Sequence, residues 1–321
     1  MRSSVYYPPQ NRVAGILEED FPFDVWADKV HRLRPSLRKK QCPYLAAESA
    51  LFLADHYMTI LVASLQNPMF RWLAIERFTF SNTLKQTCDT IANKAIDKSW
   101  RAIFGRKGFI AIERTTDLES NPSDVEIWSS VLGNPGEVRN GTLHLRYEPE
   151  AHLAMIREVA RFRVRSLPIL NSFKHGYRLP RATRQSFRQL LESLPGNHQI
   201  DDGALQSVED AFRQRKLPPA FWLLSTGKQR VERGSRRIPA ELRLVGVNPA
   251  GCARASTAIL DLLRLLFDSS REDARLDRWL GKSSPDLFGH SVDVLASLHF
   301  TMREATRDAT SAGLVRSYTA D

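Results

Sequence analysis

The sequence is poor in the residues that advertise ready-made chemistry. Its three cysteines, Cys42, Cys88 and Cys252, are odd in number and far apart, so neither a disulfide framework nor a cysteine-based zinc site is expected. That usage fits a reducing compartment, the cytoplasm. The first residues, "MRSSVYYPPQNRVAG", lack the apolar core of a secretory signal. Long apolar runs are scarce as well. The strongest, "ALFLADHYMTILVASL" (50–65), contains Asp55 and His56 and falls short of the roughly 18 clean residues that a membrane span needs. It reads as a buried core helix, and no membrane partner is expected. No serine-centred elbow and no dinucleotide fingerprint occurs. "STGK" (225–228) lacks the upstream glycine of a phosphate-binding loop and has Gln229 where Ser or Thr is required. Asp201 and Asp202 near His198 read as a turn rather than a metal site, so neither metal nor cofactor is expected.

Positive charge is what the chain has in excess. Its 46 basic residues outweigh 36 acidic ones, for a net charge of +10, and 35 of the basic residues are arginine. Arginine favours planar, bidentate contact with phosphate or carboxylate, which suits a nucleic-acid partner. The same bias also follows from GC-rich codon usage, so composition alone does not select that partner.

Hydrophobic periodicity predicts a mainly α fold: a helical bundle with a small β-hairpin and a further helix in the C-terminal third. Residues 1–43, rich in proline and charge, read as an irregular basic arm. From Tyr44 to about Gln66 apolar residues recur at three- and four-residue steps, and a second helical segment follows over 69–100. A short link between them predicts antiparallel packing. Residues 44–180 form the bundle in this reading. In the remainder, "SFRQLLESL" (186–194) reads as a short helix. "PAFWLLST" (219–226) and "AELRLVGV" (240–247) are expected to pair as a hairpin across a basic turn (227–237), and residues 248–270 return to helical periodicity. The region from Pro285 has weaker patterning; residues 181–321 read as a hairpin plus helices packing on the bundle, and "TSAGLVRSYTAD" as a frayed, flexible tail.

The segment most suggestive of function runs from about Pro149 to His175. Leu153, Ile156, Ala160, Val164 and Leu167 draw an apolar stripe, Pro168 is expected to kink or divide the helix, and Gly176 supplies its end. Following the stripe forward reaches Asn171 and then His175, so both are expected on the packed side. There Asn171 would bond a carbonyl freed at Pro168 and His175 would cap the helix. Arg157, Arg161 and Arg165 repeat every four residues beside the stripe. With Lys174, Arg178 and Arg181, and Arg184 and Arg188 beyond, they are the candidate nucleic-acid contacts; a solvated helix face has the same pattern.

"NSFKHG" (171–176) resembles the Asn-x-x-Lys-His-Gly signature of helical bacterial proteins related to the HEPN superfamily, over residues 44–180. The resemblance implies a helical bundle that is often dimeric. In many members it also implies a metal-independent ribonuclease with an Arg-x(4 to 6)-His motif on a helix, at work in stress or defence. In such an enzyme the His handles the 2′-hydroxyl or leaving-group proton and the Arg stabilises charge on the phosphate. Two stretches match the spacing, Arg139 to His144 and Arg146 to His152, and with so many arginines such matches also arise by chance. The first has the polar residue, Asn140, that the family favours after the Arg, but Gly141 is a turn signal where the family has helix. Asn171 with His175 has Asn where the family has Arg, so its phosphate charge would have to come from a neighbour such as Arg165 or Arg178. The catalytic candidates are therefore His175, Asn171, His144 and Arg139. A second reading, of a different class, is a non-catalytic helical protein that binds a protein partner or its own dimer mate.

Overall fold

The computed structural model describes residues 23–33, 42–66, 83–93, 131–139, 142–174, 182–193, 206, 209, 210, 212, 218–226, 230–232, 235–267, 276–280, 288, 289, 291–304 and 318–320. The fold is mainly α. The chain divides into two compact units, the first formed by Met1–Leu167 with Pro249–Ser291 and the second by Pro168–Asn248 with Val292–Asp321. This differs from the expected division at residue 180, because the helix after Asn248 belongs to the first unit.

In the first unit, α1 (Phe23–Leu33), α2 (Cys42–Gln66) and α3 (Thr83–Asn93) precede a two-stranded hairpin of β1 (Gly136–Arg139) and β2 (Thr142–Leu145). The helix α4 (Pro149–Lys174) follows, its residues from Pro168 onward belonging to the second unit, and α6 (Pro249–Phe267) and α7 (Asp277–Leu280) are the later helices of the first unit among the described residues. The region expected to be an irregular arm thus contains a helix. α1 places Asp24 in its first turn and His31 and Arg32 in its last, as the helix dipole favours, and Phe23 meets Phe267 edge-on with ring centroids 5.2 Å apart. Of the second helical segment expected over 69–100, α3 lies within the described residues.

α2 is the centre of this core. Ala46, Ala47, Ala50, Leu53, Ala54, Tyr57, Leu61 and Ala63 are fully buried. It is the one helix among the described residues long and apolar enough to cross a membrane (Pro43–Leu65), and most of it is buried inside the unit. It packs beside α6, whose small residues Gly251, Cys252, Ala255 and Ser256 are buried and permit close approach. Pro249 stands at the first position of α6, where its missing N–H costs nothing. Near the far end of α6 the chain approaches so closely that Gly133 has no substitute. Its φ is +69°, and a Cβ there would sit 2.8 Å from the Leu265 main chain.

The second unit holds α5 (Arg184–Ser193) and a five-stranded antiparallel sheet. Its strands are β3 (Ala220–Thr226), β4 (Arg230–Glu232), β5 (Ser235–Val247), β6 (Val292–Glu304) and β7 (Tyr318–Ala320). The order is β3-β5-β6-β7, with β4 also paired to β5. The expected hairpin is present, with Ala220 opposite Gly246 and Thr226 opposite Ala240. It is part of a larger sheet than expected: the basic turn contributes β4, and the weakly patterned C-terminal region contributes β6 and β7. Alternation explains the sheet. Ile238, Ala240, Leu242 and Leu244 of β5 stand opposite Met302, Phe300, Leu298 and Ala296 of β6, and the intervening positions are mostly polar. α5 contributes Phe187, which stacks on Trp222 at 5.8 Å, and Ser186, which accepts a hydrogen bond from Trp222 Nε1 at 3.1 Å. The short helix expected over 186–194 is thus present, beginning two residues earlier at Arg184 and ending at Ser193.

Candidate functional site

α4 carries most of the sequence candidates. It starts at Pro149 because Glu148 closes its first turn: the carboxylate accepts from the Glu150 and Ala151 main-chain N–H groups at 3.0 and 2.5 Å. The helix continues through Pro168 to Lys174. Pro168 marks the boundary between the two units, and Ser172 Oγ donates to the Pro168 carbonyl at 3.1 Å.

Asn171 is exposed, which corrects its expected place on the packed side. The buried side of α4 runs through His152, Met155, Val159, Arg163, Ser166 and Leu170. Three of those six are polar, so the apolar residues Leu153, Val164 and Leu167 trace the flank of the buried arc rather than its centre. A line drawn along that flank leads to Asn171 and out of the core. His175, Arg178 and Arg181 lie outside the described residues, and Lys174 is exposed at the helix end.

The arginines beside the stripe are anchored to main-chain carbonyls. Arg157 Nε and Arg161 Nε both donate to the Ala92 carbonyl, at 3.3 and 2.9 Å. That carbonyl lies in the last turn of α3, where no intrahelical donor is available. Arg161 Nη1 also pairs with Glu158 at 2.6 Å, and its side chain remains 45% exposed. Arg165 Nη2 donates to the Phe288 carbonyl at 3.0 Å. Each anchor uses part of a guanidinium and fixes the plane of the rest.

Arg163 takes a different course. Its Nε pairs with Asp55 Oδ1 at 2.8 Å inside the core, both side chains nearly inaccessible, and its Nη1 has no hydrogen-bond partner among the described residues. Cys88 of α3 lies beside this pair. Burial pushes its thiol up to about 12, against the opposing pull of the Arg163 cation. The sequence signal for this junction was Asp55 itself, a carboxylate in an apolar helix that must find a cation.

Of the two Arg-to-His matches, Arg139 ends β1 and His144 lies in β2. Arg139 stands opposite Thr142 and His144 opposite Glu137, two register positions apart on a hairpin instead of on a helix. Asn140 and Gly141, the sequence pair most suited to a tight hairpin turn, separate the strands. In the second match, Arg146 is exposed with its guanidinium 5.3 Å over the Tyr147 ring, whereas His152 is fully buried. His152 Nε2 donates to the Leu132 carbonyl at 2.9 Å, and its ring stacks near that of Tyr147. Burial lowers its pKa to about 4, so the ring is neutral at neutral pH. Asn134 secures the same junction, donating to the Tyr147 carbonyl and accepting from the Tyr147 N–H, both at 3.0 Å. His152 is therefore part of the loop's framework.

The hairpin candidates Arg139 and His144 belong to the first unit and Asn171 to the second. Among the described residues no group of three or more His, Cys, Asp or Glu is placed to hold a metal ion. His198, Asp201 and Asp202 lie outside the described residues. Comparison of the chain with protein-family models, with curated proteins and with solved structures finds no match in any of the three.

Proposed function

We propose that the protein binds RNA through its phosphates, in keeping with its resemblance to HEPN-like helical proteins and with a cytoplasmic role in stress or defence. The observation that carries this reading is the row Arg157, Arg161 and Arg165. Three guanidiniums at one-turn spacing are held by main-chain carbonyls, Arg161 also by Glu158, and among the described residues their remaining N–H groups on the outer side of α4 meet no other partner. Anchored guanidiniums lose less rotamer freedom when they meet a phosphate, so the row is prepared for charge-assisted bonds. The net charge of +10 adds long-range attraction to any polyanion.

Cleavage is a separate matter from binding. A ribonuclease of the HEPN kind needs a proton-handling His beside a phosphate-neutralising Arg, the roles proposed for His144 or His175 with Arg139 or an outside arginine. One experiment tests both. Labelled single-stranded RNA is titrated with the wild-type protein in EDTA, followed by anisotropy and by gel analysis of the RNA. Saturable binding that weakens with rising salt is expected, and its absence contradicts the proposal. If the RNA is cut, His144→Ala and His175→Ala identify the histidine that cuts it; intact RNA at saturation assigns a binding role alone. The competing reading, a protein-binding or dimerisation surface, draws on the adjacent Val294 and Leu295 of β6, which are 48% and 42% exposed.

A further inference from the structure

The strand register of the second unit aligns three arginines. Arg230 of β4 stands opposite Arg237 of β5, and Arg237 stands opposite Arg303 of β6. Residues directly opposite in antiparallel strands share a face, so the three occupy one row across three neighbouring strands. Strand spacing sets adjacent members about 5 Å apart and the outer two about 10 Å apart. Like charges directly opposite destabilise a sheet, and nothing in folding itself calls for three of them. The neighbouring positions are small and hydroxylic. Thr319 of β7 continues the row, Thr301 stands two residues from Arg303, and Ser235 pairs with Glu232, the one carboxylate of the adjoining row. The flanking segment "GKQRVERGSRR" (227–237) carries five basic residues against that one acid.

We propose that Arg230, Arg237 and Arg303 form a phosphate-binding row that takes the backbone of a single-stranded polynucleotide across the sheet. This site lies in a different unit from the α4 row and rests on the RNA-binding reading only for the nature of the anion. A polyanion removes the repulsion that the row otherwise imposes. A flexible single strand can set successive phosphates along a short, nearly flat row, as a rigid duplex cannot. The row and its hydroxylic neighbours include no aromatic residue, so the contact is to phosphate and tolerates any base.

The test measures binding of labelled oligo-uridine, oligo-adenine and duplex RNA by anisotropy, between about 50 and 200 mM salt. Wild type is compared with R230Q/R237Q/R303Q, with R230K/R237K/R303K, and with R146Q/R254Q/R278Q, which removes the same charge from exposed positions of the first unit. The glutamine variant of the row is expected to flatten the plot of log affinity against log salt by about 2, three contacts at about 0.7 each. Its melting temperature should be unchanged or raised, because a repulsion has gone. The lysine variant should keep the wild-type slope, and uridine and adenine strands should bind alike. The site is overturned if the first-unit variant flattens the slope as much, if duplex RNA is preferred, or if the row variant melts lower and lysine does not restore binding. Binding by wild type with no change in the row variant removes this site alone. No binding of any strand by wild type removes the RNA reading with it.

Discussion

The arginine rows of α4 and of the sheet are built in opposite ways. In the first, arginines are tied to the protein itself: Arg157 and Arg161 to the end of α3, Arg165 to the Phe288 carbonyl, and Arg163 to Asp55 in the core. In the second, Arg230, Arg237 and Arg303 stand in register with one another. An arginine bonded to a carbonyl contributes to stability whether or not a ligand arrives. Arginines at directly opposite register positions bring like charges together, which a bound anion would offset. On the proposed reading, stability and RNA binding are therefore coupled on α4 and separable on the sheet.

The sharpest way to break this comparison is at the buried pair. Asp55→Ala or Arg163→Ala removes one half of this buried ion pair and is expected to destabilise by about 3 to 5 kcal/mol in chemical denaturation. Asp55→Leu with Arg163→Met should recover most of that loss, since apolar replacement of a buried pair is often neutral. If the single and double variants unfold alike, the pair is not the junction described.

Next in size is the pH dependence set by His152. Its folded pKa of about 4 lies below the unfolded value of 6.5, so the unfolded chain binds the proton first. The stability this histidine permits is fully present above pH 6.5 and is lost as pH falls toward 4, by about 3 kcal/mol across the window. Denaturation curves of wild type and His152→Gln should converge in shape above pH 6.5 and diverge below it. Parallel pH profiles down to pH 4 would count against the buried, neutral ring. Gly133→Ala should then cost about 2 kcal/mol, since the residue combines a positive φ with contact on the Leu265 main chain. The smallest effect is expected for Arg161→Gln, about 1 kcal/mol for the lost bond to the α3 terminus, read as a small drop in melting temperature.

How far the sequence foretold all this depends on how purely each element obeys its own period. α6 and the β3 to β5 pairing were legible, because residues 249–267 follow helical steps, 220–224 form a short continuous apolar run, and Ala240, Leu242 and Leu244 alternate with Glu241 and Arg243. β6 was not. Its alternation from Leu298 to Arg303 is clean, but Val294, Leu295 and Ala296 run consecutively, where the register shifts between Leu244 and Val245 on the partner strand. α1 was hidden by its setting in a segment dense in charge and proline. At the candidate site, the helix and the arginine spacing were legible and the partners were not. Ala92 and Phe288 accept through their main-chain carbonyls, for which no sequence pattern exists. Asn171 was misplaced for a related reason: His152, Arg163 and Ser166 hold the centre of the buried face, and polar residues there look like surface.

The most direct test of the contrast between the units measures melting temperature and single-stranded RNA affinity side by side for R157Q/R161Q/R165Q and R230Q/R237Q/R303Q. The first variant is predicted to lose stability together with affinity, and the second to lose affinity at an unchanged or higher melting temperature. A second variant that melts lower than wild type, or that binds RNA as tightly as wild type does, would contradict it.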